Sequence, residues 1–333
     1  MSTAAVIILN YNGVHFLEKF LPSVVAHSKG HRLIVADNAS TDDSRSFLSK
    51  EYPQIEIIAF DQNHGFAQGY NLALRDINNP YSILLNSDVE VTAGWIEPVL
   101  EMMERDARVV AAQPKIRAYH QPNHFEHAGA AGGYIDRLGY PFCRGRIFDQ
   151  TELDAGQYDD RVPVFWASGA CFFVRTEAFR RFGGFDPLFH AHMEEIDLCW
   201  RLLNRDWRIV CCGESAVYHV GGGTLHKSNP RKTFLNYRNN LMMIYKNMPV
   251  RQRVKVLLVR LVLDGLSSVR FMMAGSWPDV WAIVRAHFAF YRLAPTINEK
   301  TNRPPRQARL YRRSVVWEYF VKGTRKFSEL PEA

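Results

Sequence analysis

The sequence has no C-x-x-C pair and no His at zinc-finger spacing, and its five cysteines (Cys143, Cys171, Cys199, Cys211 and Cys212) are an odd number in 333 residues. A disulfide framework and structural zinc are therefore not expected, and a reducing compartment is. No run of 18 uncharged apolar residues occurs. The most apolar window, from Val254, still carries Lys255, Arg260, Asp264 and Arg270, so a spanning helix is not expected. The chain enters an apolar strand within four residues of Met1, with no basic leader region before it, and a secretory signal is not expected. Internal repeats, low-complexity tracts and nucleic-acid-binding motifs are missing as well.

What is there is ordinary in bulk and uneven in charge. Hydrophobic residues make up 47% and charged residues 23%, which suits a chain with a sizeable core. The net charge of +7 is not spread evenly: residues 251–333 hold 16 Lys and Arg against 6 Asp and Glu. The basic character belongs to the tail, the part suited to a polyanionic surface.

The first 115 residues alternate short apolar runs with helical patterns. Strands are expected over residues 4–9, 32–37, 55–60, 81–86 and 109–114, with helices near 14–27, 43–51, 66–76 and 94–105. This is the rhythm of a mostly parallel, doubly wound α/β sheet, whose right-handed crossovers bring the strand carboxyl ends to one edge. Four of those ends read "NYNG", "DNAST", "DQNHG" and "NSD". Each is an adequate helix cap by itself. Together they describe a shared polar crevice better than four independent caps do.

Residues 116–165 lack periodicity and hold five glycines between His127 and Arg146, which reads as a long mobile loop over the crevice. A strand and a small-residue turn follow in "VFWASGACFFV", then the helix "RTEAFRRF" ending at Gly183-Gly184, and the helix "HMEEIDLCWRLLNRD". Beyond residue 230 the pattern is helical. Arg253, Arg260, Asp264 and Ser267 fall on one face of a helix otherwise made of Val, Leu and Met, and a later helix carries Trp and Arg. Such helices fit a layer lying in a membrane interface; the alternative is a bundle packed on the sheet with a solvated basic face. The resulting division is 1–115 for a nucleotide-binding half, 116–230 for a catalytic and acceptor half, and 231–333 for a basic helical extension.

The chemistry concentrates in two places. In "ILLNSDVEV" an apolar strand hands Asn86 and Asp88 to its carboxyl end, with Glu90 beyond. A Mg2+ or Mn2+ ion held against a diphosphate needs only one or two protein carboxylates, because phosphate oxygens and waters supply the remaining ligands. His219, before a glycine run, is a candidate second ligand. In the helix from Glu194, Glu194 and Asp197 share one face and Glu195 points about 100° away. Arg201 stands four residues after Asp197 and is placed to pair with it, which leaves Glu194 and Glu195 for general-base work.

The motifs "VIILNYNG", "VADNASTD", "NHGFAQGYN", "LLNSDVEV", "SGACFFVRTEAFRRFGGFD", "EEIDLCWR" and "HVGGG", in this order, resemble glycosyltransferase family 2, the inverting nucleotide-sugar enzymes of the GT-A fold, and within it the rhamnosyltransferase-like branch that builds bacterial surface polysaccharides. The resemblance spans roughly residues 4–225. It implies that Asn10, Tyr11, Asn12, Asp37, Asn38, Gly65, Asn71, Asn86 and Ser87 surround the nucleotide, with Asp37 on the pyrimidine. Asp88 takes the last position of the family's D-x-D and Asn86 the first, with Asp88 and His219 on the metal. Glu195 falls at the catalytic base, in a Glu-Glu rather than the family's Glu-Asp pair, so Glu194 stays a candidate. Trp166, Ser168, Gly169, Ala170 and Asp197 would meet donor sugar and acceptor. The implied partners are a nucleotide diphosphate sugar, a glycan or lipid-linked acceptor and the inner membrane leaflet, in a peripheral cytoplasmic enzyme that does not bind nucleic acid. Two competing readings remain: a nucleotidyltransferase, which would want a basic Gly-rich loop where this chain has "NYNG", and a non-catalytic membrane-associated sugar-nucleotide binder.

Overall fold

The computed structural model describes residues 4–221, 229–297 and 310–331. The first part of the chain runs β1 (Ala4–Asn10), α1 (Val14–His27), β2 (Arg32–Asp37), α2 (Ser44–Glu51), β3 (Glu56–Ala59), α3 (Gly65–Ala73), β4 (Tyr81–Asn86), β5 (Val89–Val91), α4 (Glu97–Arg105) and β6 (Val109–Ala118). Then come β7 (Gln121–Phe125), β8 (Gly133–Asp136), β9 (Pro141–Cys143), β10 (Arg146–Ile147), β11 (Gln150–Thr151), β12 (Arg161–Val164), β13 (Cys171–Arg175), α5 (Thr176–Arg181), α6 (Glu194–Leu203) and β14 (Arg208–His219). The last elements are α7 (Pro230–Asn247), α8 (Val250–Met273), α9 (Trp277–Leu293), β15 (Leu310–Tyr311) and α10 (Val315–Phe320).

The main sheet has the order β12-β14-β6-β13-β4-β1-β2-β3, with β5 on β14 and β7 on β6. Strands β4, β1, β2 and β3 are mutually parallel, as the alternating strand and helix patterns require, whereas β13 is antiparallel to both its neighbours. Alternation along β1 explains why both faces are covered. Ala4, Val6 and Ile8 pack with Leu17 and Leu21 of α1, while Ala5 and Ile7 join Ala67, Tyr70 and Ala73 of α3 on the other side. The parallel register sets Asn10 opposite Asp37 and Leu9 opposite Asn86, so the polar strand ends share one edge.

Residues 116–165 depart from the expected loop. Strand β6 runs on to Ala118, β7 folds back on it, and a second sheet forms in the order β11-β10-β9-β8-β15. Strands of two to four residues are too short to show a period in the sequence, and this sheet is held by packing instead. Phe142 and Ile147 are fully buried in it, and Phe125 of β7 packs its ring against Gly145. Gly133 lies flat against the Trp166 indole, where a Cβ would fall 2.0 Å from a ring carbon.

The C-terminal helices form a bundle on α6, and α8 is inverted. Its polar stripe faces inward: Arg253, Arg260 and Asp264 are buried. Arg260 Nε meets Asp264 Oδ1 at 3.2 Å, its guanidinium stacks 3.9 Å from the Tyr140 ring centroid, and it donates to Asn240 Oδ1. His287 of α9 meets the other Asp264 oxygen at 3.1 Å. Val254, Leu258, Val262, Leu266 and Val269 face outward. Among the described residues no helix is long and apolar enough to cross a membrane.

Candidate active site

The loops after β1 and β2 are tied to each other by the residues expected around a nucleotide. Asn12, in a left-handed turn at φ 49°, accepts the Thr41 N–H at 2.7 Å, and Asn10 Nδ2 donates to Ser40 Oγ at 3.1 Å. Asn38 accepts from the His64 N–H at 2.8 Å and donates to the Gly65 carbonyl at 3.1 Å, fixing the start of α3. Gly65 has φ +72° and touches the His190 ring, which a Cβ would approach to 2.6 Å. Tyr11 is 48% exposed and forms the open wall of this edge.

Asp37 is not open to a base as the sequence suggested. It is fully buried, with one carboxylate oxygen on Asn10 at 3.3 Å and the other on the Ser40 N–H at 3.1 Å and Arg45 at 2.7 Å. The half-exposed Arg45 and Ser40 are the surface it supports. Asn71 is likewise a clamp rather than part of a nucleotide wall, donating to the Phe185 carbonyl and accepting its N–H at 2.7 and 2.9 Å.

Asp88 and His219 meet because β5 pairs with the end of β14, which sets His219 opposite Val89. His219 Nε2 lies 3.2 Å from Asp88 Oδ1, and its Nδ1 lies 3.2 Å from Glu126 Oε2. Burial by itself would lower the imidazole pKa, but the Asp88 and Glu126 carboxylates outweigh it and hold His219 at about 10. Burial would likewise raise Glu126, and the imidazolium pulls it down to about 2. Glu126 escaped the sequence reading because it stands in the segment taken for a loop. Among the described residues no group of three His, Cys, Asp or Glu is assembled for a metal. The donor set nonetheless suits a divalent ion. One carboxylate and one imidazole nitrogen converge, and a second carboxylate behind the ring fixes its orientation, the usual support of a metal-binding His. Of the glycine run after His219, Gly221 touches Glu126, while Gly222 and Gly223 lie outside the described residues.

Asn86 adjoins this pair. Its backbone N–H donates to the Ala170 carbonyl at 3.0 Å, and its side chain with that of Ser87 lies at the sheet edge, the latter beside Gly13. The neighbouring Gly169 faces Glu195, whose carboxyl carbon would stand 4.0 Å from a Cβ there. Residues 168–170 thus join the Asp88 edge to α6.

The start of α6 is held in a conformation side chains rarely adopt. His190, His192 and Met193 have φ of 63°, 69° and 73°, each costing roughly 1–2 kcal/mol relative to right-handed backbone. Asn239 of α7 keeps the turn in place. Its Nδ2 stands 2.9, 2.8 and 2.7 Å from the carbonyls of Phe189, Ala191 and His192. The strain delivers two buried carboxyl groups to one spot. Burial, with the adjacent Glu195 charge, pushes Glu194 well above the usual carboxylate range. Burial raises Glu195 to about 7. Glu195 remains partly accessible, whereas Glu194 is 3% exposed.

Three further expectations are corrected. Asp197 does not meet a sugar: it is fully buried, and its carboxylate is taken by Arg201 at 2.8 Å, Lys246 at 2.9 Å and Asn247 at 2.7 Å. It joins α6 to α7, and the pairing with Arg201 is the one its spacing allows. Trp166 is 4% exposed and donates from its indole to the Tyr134 carbonyl at 2.9 Å, so it supports the floor from behind. Ser168 is buried between Gln113 and the Ala128 carbonyl. Within 166–170 it is Gly169 that adjoins the Glu195 carboxyl group.

The Glycosyl transferase family 2 model matches residues 5–182, more than half of the chain. The chain belongs to glycosyltransferase family 2. It is 28% identical over 233 residues to the N-acetylglucosaminyl-diphospho-decaprenol L-rhamnosyltransferase of Mycobacterium tuberculosis, covering 64% of this chain and 75% of that one. It is 22% identical to rhamnosyltransferase WbbL of Escherichia coli K12, covering 59% and 75% respectively. The fold is that of GalNAc-T7, solved with UDP, GalNAc and Mn2+, with a TM-score of 0.58 at 15% identity, covering 74% of this chain and 48% of that one. The protein is accordingly a glycosyltransferase with the GT-A fold, a mixed, mostly parallel sheet followed by a helical C-terminal region.

Proposed function

We propose that this glycosyltransferase moves a sugar, with inversion, from a pyrimidine nucleoside diphosphate donor to a hydroxyl of a glycan or lipid-linked acceptor in bacterial cell-surface polysaccharide synthesis. The donor is a deoxythymidine diphosphate sugar of the rhamnose type, or a uridine diphosphate hexose, and the enzyme works at the cytoplasmic face of a membrane. Residues 1–115 take the nucleotide, and residues 116–230 bring catalytic groups and acceptor. The observation that carries this reading is Glu195, a carboxyl group held by burial at a pKa of about 7 and facing Gly169, whose neighbour Ala170 is hydrogen-bonded to Asn86 on the edge that leads to Asp88. The rhamnosyltransferases among its relatives support the choice of sugar class and acceptor.

In this reading Glu195 takes the proton from the acceptor hydroxyl as the oxygen attacks the anomeric carbon, and the nucleoside diphosphate leaves from the opposite face. A pKa near the working pH lets the group be ionised before attack and still accept a proton. Asp88 and His219 would hold Mg2+ or Mn2+, which when bound neutralises charge on the departing diphosphate. Glu126 aligns His219 for that role. Tyr11, Asn86 and Ser87 line the donor edge, with Asn10, Asn12, Asn38 and Gly65 shaping the loops behind.

Thermal denaturation across a panel of nucleotide sugars, with and without Mn2+, tests the proposal, because a ligand that binds only the folded state raises its melting temperature. A metal-dependent rise for a deoxythymidine or uridine diphosphate sugar, lost in Asp88→Ala, is expected. An equal rise in Asp88→Ala would remove the metal assignment, and no rise with any nucleotide sugar would remove the donor class.

A further inference from the structure

The outward face of the C-terminal helices is the least ordinary surface of the molecule. Of twenty large hydrophobic side chains that are exposed among the described residues, seventeen lie between Val250 and Val321. On α8 they recur at spacings of three and four, and Leu258, Val262 and Leu266 are 61–63% exposed. Trp277, Trp281 and Phe288 continue the surface on α9. Arg270, stacked 5.1 Å from the Phe320 ring centroid, joins it to α10. This is no frayed helix, since its buried side carries the Arg260–Asp264–His287 network. An apolar strip of this extent on a soluble surface marks a contact.

The charge around the strip identifies what it contacts. From residue 250 onward, ten Lys and Arg are exposed among the described residues, against one acid, Glu329. Two copies of this face would bring like charges together, which disfavours a dimer through it. An anionic bilayer complements it, and Trp beside Arg is the composition that settles at headgroup level. At the edge of the strip lies a cavity of about 320 Å³ between α7 and α9, walled by Phe234 and Trp281 and flanked by Arg231 and Arg285. The Arg285 guanidinium stands 5.6 Å from the Phe234 ring centroid, and neither arginine has an ion-pair partner among the described residues. Burial, and after it the charges of Arg231 and Arg238, disfavour protonation of His190 in the strained turn that precedes Glu195.

We propose that the face formed by α8, α9 and α10 docks the enzyme on an anionic phospholipid bilayer, with a lipid phosphate seated between Arg231 and Arg285. This rests on the membrane-borne acceptor proposed above and deepens it by assigning the surface that meets the lipid.

The test is co-sedimentation of the full chain with vesicles of phosphatidylcholine alone and of phosphatidylcholine mixed with phosphatidylglycerol. Donor-dependent thermal stabilisation is measured on the same samples. Strong recovery with the anionic vesicles and little with the neutral ones is expected. At about fivefold per cation near an anionic surface, Arg231→Ala with Arg285→Ala should weaken binding about thirtyfold. Val262→Glu with Leu266→Glu, both at exposed positions, should abolish vesicle binding and leave donor-dependent stabilisation unchanged. Equal recovery with both vesicle types would overturn the proposal, as would variants that sediment like the wild type. So would a concentration-dependent dimer that the Glu variant dissolves while vesicles recover nothing, since a second copy then covers the face. Vesicle binding without stabilisation by any nucleotide sugar would support docking and count against the transferase reading alone.

Discussion

Replacing Glu195 by Gln separates what this residue does for chemistry from what it costs in stability. Burial raises the Glu195 pKa from 4.5 to about 7, so the folded protein holds this proton more tightly than the unfolded chain does. The sign follows from linkage: stability from the neutral form is fully present below pH 4.5 and is lost as pH rises through about 7. The interval corresponds to roughly 3 kcal/mol at about 1.4 kcal/mol per pH unit. Gln keeps the shape and cannot ionise. Glu195→Gln should therefore be close to wild type in stability near pH 4.5 and more stable by roughly 2–3 kcal/mol near pH 8. Its transfer activity should be lost while nucleotide-sugar binding stays. In the wild type, kcat/KM should rise tenfold per pH unit below about 7 and level off above, as a base that must first lose its proton requires.

Urea denaturation of both proteins across this pH range, with initial rates measured in the same buffers, checks the two limbs together. A stability difference that does not grow with pH would refute the burial argument. Full turnover by Glu195→Gln would refute the base assignment and turn attention to Glu194, which burial and the neighbouring charge also hold well above the usual carboxylate range. A protein that gains stability on losing its base is the expected signature of a group placed for reaction rather than for folding.

Glu126→Gln removes the carboxylate behind His219 and should weaken Mn2+ binding about 10–100-fold while leaving the fold intact, as read by metal titration. Asn239→Ala frees three carbonyls of the strained turn and should cost about 1–3 kcal/mol in denaturant unfolding. Its kcat should fall more than its donor KM rises, with a displaced pH midpoint, because Glu195 loses its fixed position.

The parallel half of the fold was legible because it is built from signals that stay local. Val14–His27, Arg32–Asp37 and Tyr81–Asn86 form where the pattern places them, since a strand buried on both faces must be an unbroken apolar run and its crossover helix an amphipathic one. The second sheet was not legible, because strands as short as Pro141–Cys143 acquire their burial from distant partners such as Tyr311, whose ring meets Phe142. The same holds for the site. Asp88 and Glu195 stand at element ends, which the local sequence pattern marks directly. Glu126 becomes part of the site only because its backbone N–H is bound to the Ile116 carbonyl on β6, which pairs with β14 beside His219, and Trp166 and Ser168 leave the open crevice because neighbours far along the chain cover them.

Helix α8 shows where such reading stops in principle. Spacing places Arg253, Arg260 and Asp264 on one face, but periodicity only says which residues share a face and is silent on which face turns inward. The outcome depends on whether partners can satisfy buried charge, since an unpaired ion inside is prohibitive and a paired one is tolerable. Here the partners come from three other segments: Tyr140 beside β9, Asn240 on α7 and His287 on α9. Those groups make the polar side an interior, and the Leu and Val side is left facing out as a consequence. A sequence that carried Leu at 140, 240 and 287 would give α8 the same periodicity and the opposite orientation, so the inversion, and with it the apolar surface, is written in the partners rather than in the helix.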